Sequence, residues 1–296
     1  MLVLIVFLTG TNAPAQADTH DTANPLRLYL QQALSVAADQ TPVPERMHEL
    51  KMARAVRTFY TRRTYRPAWS QDKILSPHVD VLVSILHDAA REGLDPTDYH
   101  ISHIVDLQTT IHSTSGQQHG ASIEELGHLD LLLTDAFLLY GSHLLHGRVS
   151  PRGENGVWGL QPDNMDLATT LQIALDRGDL ASAAHDLEPT HPGYTALRQT
   201  LARYREIAAS GGWPSMPPGP AIRLGSYTPR VPVLRTRLRA EGYLSHDVVT
   251  SDTVFDDSLD RAVRRFQQQQ GLEEDGVVGP ATREAMNTRL ILAFSS

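Results

Sequence analysis

The stretch FDDSLDRAVRRFQQQQGLEEDGVVGPATREAMN, from Phe255 to Asn287, decides how this chain is read. Leu259, Ala262, Val263 and Phe266 recur at helical spacing, which predicts a helix with one buried face. Asp256, Asp257 or Ser258 can cap its start. Gly271 follows its glutamine-rich end, where a left-handed residue closes a helix. Asp275-Gly276 reads as a turn. Gly279-Pro280 then opens another helix, with proline at the first position, where its missing N–H costs nothing. Ala281, Ala285 and Met286 give that helix a small apolar face. The same device appears upstream, where Pro232 opens a segment with Leu234 and Leu238 one turn apart and Gly242 at its end. Three short helices between Tyr227 and Leu290 make a unit of about 60 residues, near the lower limit for folding alone.

Joined to VPVLRTRLRAEGYL, Val231 to Leu244, this string resembles the small three-helix peptidoglycan-binding domain of bacterial wall enzymes. The matching positions are Leu234, Leu238, Gly242, Tyr243, Phe255, Ala262, Val263, Phe266, Gln267, Gly271, Leu272, Asp275, Gly276, Gly279 and Thr282. The resemblance implies noncovalent attachment to peptidoglycan, through glycan or stem peptide. Candidate ligand contacts are Tyr243, Phe255, Arg264, Asp275 and Arg283. Aromatic rings stack on sugar or peptide faces, and arginine grips carboxylates bidentately. Each reading has a structural alternative: Phe255 can close the small core, and Asp275 is half explained by turn chemistry. For Phe266 and Leu259 the core reading prevails.

The whole chain has 296 residues, 41% hydrophobic and 20% charged, which permits two domains with proper cores and argues against disorder. A formal net charge of −8 argues against a nucleic-acid partner, because phosphate binding needs a basic face. An acidic protein in an anionic wall must bind through local contacts. There is no cysteine, so disulfides, thiolate metal sites and a cysteine nucleophile are excluded for these residues. Leu2 to Leu8 are apolar and Ala15-Gln16-Ala17 forms a cleavage signal, so residues 1–17 read as a secretory signal peptide. No Lys or Arg precedes the apolar run, and a buried N-terminal strand is the alternative reading. The run is too short to span a bilayer, which needs about 20 residues, and no later segment reads as transmembrane. The expected location is therefore the periplasm, in association with the cell wall.

The rest of the pattern is helical, so the expected fold class is all-α. Leu26, Leu28, Tyr29, Leu30 and Leu34 form one helix after Asn24-Pro25, with Pro42 and Pro44 beyond it. A stronger one runs from Glu45 with Met47, Leu50, Ala53, Val56 and Tyr60 on one stripe. Helices follow at Val79–Ala90, Ile123–His146, Leu167–Arg177 and Tyr194–Ala209, with loops at Ser113–Gly120 and Ser150–Pro162. The Ile123–His146 helix, apolar through its middle, is the expected central element. These limits give a helical scaffold at 18–210, a Pro/Gly linker at 211–226 around GGWPSMPPGP, the three-helix unit at 227–290 and a tail at 291–296.

FYTRRTYRPAWS, AAREGLDPTDYH, LEPTHPGYTALRQTLARYR and GGWP occur in this order in the helical scaffold domain of large periplasmic L,D-transpeptidases, which this chain resembles from Leu26 to Asn287. In that family a catalytic domain follows, with H-x-G-T and a downstream S-x-G-C-x-R whose cysteine accepts the acyl group. No cysteine stands here to inherit that role, and the sequence ends at Ser296. The expectation is a secreted, noncatalytic peptidoglycan-binding protein. The alternative is a truncated L,D-transpeptidase, present here only as its front part. Other cell-wall enzymes are a further class of partner for the scaffold.

His128, His143 and His146 share the central helix but lack the spacing and glutamate of H-E-x-x-H, so they read as core-edge histidines and no metal or cofactor is expected. Glu124, Glu125 and Asp130 read as a solvated first turn rather than a glycosidase pair. Ser142 and His146 lack an orienting acid. Arg62, Arg63 and Arg66 beside Tyr60, Tyr65 and Trp69 suit either a carboxylate or sugar face, or packing of the aromatics.

Overall fold

A computed structural model describes residues 24–36, 49–114, 120–148, 165–244 and 253–288. The expected signal peptide, the loop 150–162 and the tail 291–296 lie outside the described residues, as do Pro42, Pro44 and Met47. The described residues form eleven α-helices: α1 (Pro25–Val36), α2 (Ala53–Arg62), α3 (His78–Asp88), α4 (Ile101–Thr114), α5 (Ile123–His146), α6 (Leu167–Arg177), α7 (Leu180–His185), α8 (Pro192–Ala209), α9 (Val231–Ala240), α10 (Asp257–Gln269) and α11 (Pro280–Met286). A two-residue hairpin pairs Ser70–Gln71 with Ile74–Leu75. The fold is all-α, as expected. None of the described helices is long and apolar enough to cross a membrane. Two compact units meet at the His191–Pro192 boundary.

In the first unit, α5 begins at a capping box. Ser122 Oγ accepts the Glu125 N–H at 3.1 Å while the Glu125 carboxylate accepts the Ser122 N–H at 2.9 Å. Sixteen of its 24 residues are buried, so it needs cover on every side, and α1, α2, α3, α4 and α6 supply it. Each fully buried leucine contributes roughly 1.5–3 kcal/mol. Helix α1 comes close because residue 127 is glycine: a Cβ there would collide with the ring of Tyr29. Leu26, Leu30 and Leu34 face the core, whereas Leu28, expected with them, is exposed.

Three polar residues interrupt the apolar middle of α5. Asp130, placed in a solvated first turn by the sequence reading, is 1% exposed. Its carboxylate accepts the Tyr60 hydroxyl at 2.5 Å and the Ala68 and Trp69 amides at 3.0 Å. Thr134 accepts the Trp69 indole N–H at 3.0 Å. Asp135 accepts the amides of Lys51 and Met52 at 3.1 and 2.7 Å, and His100 Nε2 lies 2.8 Å from it. These amides belong to the otherwise uncapped entry to α2, which explains why the helix starts at Ala53. Burial pushes the Asp130 carboxyl above its ordinary value, with the hydrogen bonds from Tyr60, Ala68 and Trp69 opposing it.

Several aromatic and basic residues near α2 are engaged within the unit. Tyr60 and Trp69 are buried, Arg63 bonds Gln172 and the Pro67 carbonyl, and Arg62 bonds Thr169 at 2.9 Å and pairs with Asp166. His143 Nδ1 lies 2.9 Å from the Tyr99 hydroxyl, and His128 Nε2 lies 3.3 Å from Glu49. Among the described residues no group of three metal-ligating side chains is arranged to hold an ion. Helix α4 falls where no helix was expected. Half of ISHIVDLQTTIHST is β-branched, which lowers helix propensity, but Ile101, Ile104 and Ile111 are buried.

The second unit is built around α9, α10 and α11. Asp256 caps α10 by accepting the Leu259 N–H at 2.9 Å, and Leu259, Ala262, Val263 and Phe266 are all buried. Gly242 and Gly271 take the left-handed conformation at the ends of α9 and α10. On α11, Met286 is buried but Ala281 is exposed, and Thr282 is buried instead. The Pro/Gly stretch differs from a free linker. Met216 and Ile222 lie in the core, Ile222 exchanges backbone bonds with Val278, and the Asn287 amide brackets the backbone of Met216. Helix α8 falls in the second compact unit.

Asp130→Ala leaves the Ala68 and Trp69 amides without their acceptor and removes one partner of the Tyr60 hydroxyl, so urea unfolding should show a loss on the order of 3–5 kcal/mol. A loss below about 1 kcal/mol would remove Asp130 from the account of this unit. Burial holds the His143 imidazole below its ordinary pKa. The unfolded chain then binds the proton more readily, so the contribution of His143 is fully present above about pH 6.5 and is lost as pH falls from there through the lower folded value. His143→Gln should flatten this slope in thermal melts between neutral and mildly acidic pH; an unchanged slope would refute the assignment.

Candidate functional site

The turn between α10 and α11 is organised by Gln267, a buried amide on the inner face of α10. Its Nε2 lies within hydrogen-bond reach of Asp275 Oδ1 at 2.8 Å, the Val277 carbonyl at 3.0 Å and Thr282 Oγ1 at 3.1 Å. Its Oε1 accepts the Gly276 N–H at 2.9 Å. Asp275 Oδ1 also accepts the Val277 N–H at 2.8 Å, and this bond, followed by that from Gln267, holds its carboxyl below the ordinary value. Arg264 reaches the same turn, donating to the Asp275 carbonyl at 3.0 Å and to Asp260 at 2.8 Å. Arg264 and Asp275 are therefore brought together, although their hydrogen bonds serve the turn itself.

The other three expected contacts are dispersed. Phe255 is 0% exposed, so its ring closes the core and offers no surface to a ligand. Tyr243 is half-buried; its hydroxyl donates to Gln269 at 2.7 Å and its ring meets Phe266 edge-on at 5.6 Å. Exposed Arg265 donates to the Tyr243 carbonyl. Arg283 donates to the Gly219 carbonyl at 3.1 Å.

Two arginines of α9 lie inside the unit. Arg235 donates to Asp256 at 2.7 Å and to the Val254 carbonyl at 2.8 Å. Arg237 is 2% exposed, donates to the Met286 carbonyl at 2.9 Å, pairs with Glu241 and lies 4.4 Å from the centre of the Trp213 ring. Burial raises the Glu241 carboxyl, and the Arg237 charge opposes that rise. Spacing alone gave no sign of this burial. Trp213, read from composition as part of the GGWPSMPPGP linker, is thus packed on a buried guanidinium. Tyr227, 78% exposed, is a further surface aromatic.

Charge is unevenly shared between the units. Residues 192–296 hold 13 arginines and 11 acidic residues, and both lysines lie earlier. The acidic excess thus resides in residues 1–191, while the second unit is slightly basic and presents only guanidinium cations, which suit carboxylates geometrically.

The scaffold domain model matches residues 54–201, half of the chain. The chain belongs to the scaffold-domain family. In this scaffold-domain protein a peptidoglycan-binding domain model also matches residues 228–286, which contain α9, α10, α11 and the Gln267 turn. A relative among curated proteins is the N-acetylmuramoyl-L-alanine amidase CwlM of Mycobacterium tuberculosis (strain ATCC 25618 / H37Rv), 44% identical over 75 residues. That match covers 23% of this chain, which spans only 18% of the relative's length. The chain thus carries a peptidoglycan-binding domain.

Gln267→Ala removes both sides of the clamp on the 275–277 turn. Hydrogen exchange at the Gly276 and Val277 amides should accelerate about tenfold or more. Arg264→Ala, whose side chain is exposed, should change the same amides only slightly. Equal effects of the two substitutions would contradict this ranking.

Proposed function

We propose that the chain is an exported, periplasmic peptidoglycan-binding protein that acts without catalysis of its own. The observation that carries this reading is the second unit, matched as a peptidoglycan-binding domain and slightly basic beside an acidic first unit. The apolar Leu2–Leu8 run followed by Ala15-Gln16-Ala17 supports export. With no cysteine in the sequence, none of its residues can form the thioester through which L,D-transpeptidases act. Within the unit, Tyr243, Arg264 and Arg283 remain the proposed ligand contacts, with Arg265 added beside Tyr243. Phe255 drops out because it is buried, and the Asp275 carboxylate is engaged by its own turn.

A second reading rests on the scaffold match and on the order of FYTRRTYRPAWS, AAREGLDPTDYH and GGWP. In it the chain is the front part of an L,D-transpeptidase. The coding sequence beyond Ser296 separates the two, since only this reading requires S-x-G-C-x-R downstream in some frame.

Full-length chain should be retained on purified sacculi above an unrelated protein of similar charge, and Tyr243→Ala with Arg265→Ala should weaken retention. Failure of the wild-type chain to be retained would sink the wall-binding reading.

A further inference from the structure

Gly211, Gly212 and Trp213, read from composition as part of a linker, border a pocket of about 470 Å³ within the second unit. Its aromatic wall lies outside the residues matched as a peptidoglycan-binding domain. Ala208, Ser215, Met286, Asn287 and Thr288 complete its lining. This volume falls within the roughly 300–1,000 Å³ of small-molecule sites.

The indole is held rather than loosely displayed. The Arg237 guanidinium lies 4.4 Å from its centre, and the Tyr204 ring meets it edge-on at 5.9 Å. Arg237 is itself anchored by the Met286 carbonyl and Glu241. Trp213 nevertheless stays only partly buried. Beside it, Gly211 and Gly212 have φ of +96° and +86°, and a Cβ on either would meet nothing within 4 Å. That stretch of wall is bare backbone, open to close approach by a ligand.

The chemistry of the lining selects among the components of the wall. A stem peptide brings carboxylates and would require an available cation, but the pocket's lining contains no charged side chain. Arg237, on the ring, is already engaged by Glu241. What the lining offers is an ordered aromatic ring, the hydroxyls of Ser215 and Thr288, and backbone polar groups. The Asn287 amide is occupied by Met216. A pyranose presents an apolar C–H face to a ring and hydroxyl or acetamido groups to such a rim. We infer that this pocket takes an N-acetylated hexosamine of the wall glycan, stacked on Trp213. The inference rests on the proposal that the chain binds peptidoglycan, and it assigns the glycan to a place whose aromatic wall lies outside the three-helix match.

The test titrates full-length chain with chitotetraose, an oligosaccharide of N-acetylglucosamine without stem peptide. Binding is followed by tryptophan fluorescence and by the Trp213 indole N–H signal, with sacculus retention measured in parallel. Saturable binding that shifts this signal is expected. Trp213→Ala should weaken it about tenfold or more, and Trp213→Phe less, because a ring is kept. Ser215→Phe fills the pocket while leaving the Trp213–Arg237 stack in place; it should also abolish binding with an unchanged circular dichroism spectrum. Chitotetraose binding that is absent, or unaffected by both Trp213→Ala and Ser215→Phe, overturns the sugar subsite. If the wild-type chain is still retained on sacculi in that case, the wall-binding reading stands without it. No retention of the wild-type chain removes both.

Discussion

Two buried carboxylates on one apolar helix hold the first unit in register. Asp130 and Asp135 of α5 could not sit there unless both oxygens of each met donors, because an unpaired buried carboxylate is too costly. The donors come from segments that lack regular partners: the Ala68 and Trp69 amides in one case, and the Lys51 and Met52 amides entering α2 in the other. Leucine packing against α5 is non-directional and would tolerate shifts along the helix. Hydrogen bonds to fixed carboxylates do not, so the entrance and the exit of α2 are each tied to one position on the central helix.

The second unit meets a related problem with different groups. It has no cysteine with which to staple a small core. Its ties are the Gln267 amide across the 275–277 turn and two arginines of α9 buried against Asp256, Glu241 and main-chain carbonyls. Removing one member of such a set leaves buried groups unpaired, which makes these ties specific as well as stabilising. Arg237 adds a second consequence, since its anchored guanidinium fixes the orientation of the Trp213 ring.

This division of labour bears on the proposed attachment to a wall polymer. An overall charge of −8 conceals a second unit with slightly more arginine than carboxylate. Long-range attraction to an anionic polymer is then weak, and recognition depends on shape and on short-range contacts. Rigid aromatic and guanidinium groups suit that task, because little side-chain freedom is lost when they engage.

Local rules made much of this protein legible. The limits of α5 and α6, the cap at Asp256, the proline that opens α11 and the glycines closing α9 and α10 each depend on residues a few positions apart, so spacing alone exposes them. The resemblance of residues 231–287 to a wall-binding module was legible for the same reason. What escaped depended on partners distant in the chain. Asp130 looked like a surface carboxylate because its donors lie some sixty or seventy residues earlier. Helix α4 was missed because its isoleucines are stabilised by burial against other elements, not by propensity. Met216, Ile222 and Trp213 sat in a stretch whose prolines and glycines suggest a linker, yet Val278, Asn287 and Arg237 hold it in place. Periodicity reports which face of an element is apolar; which distant group meets that face is set only when the chain closes upon itself.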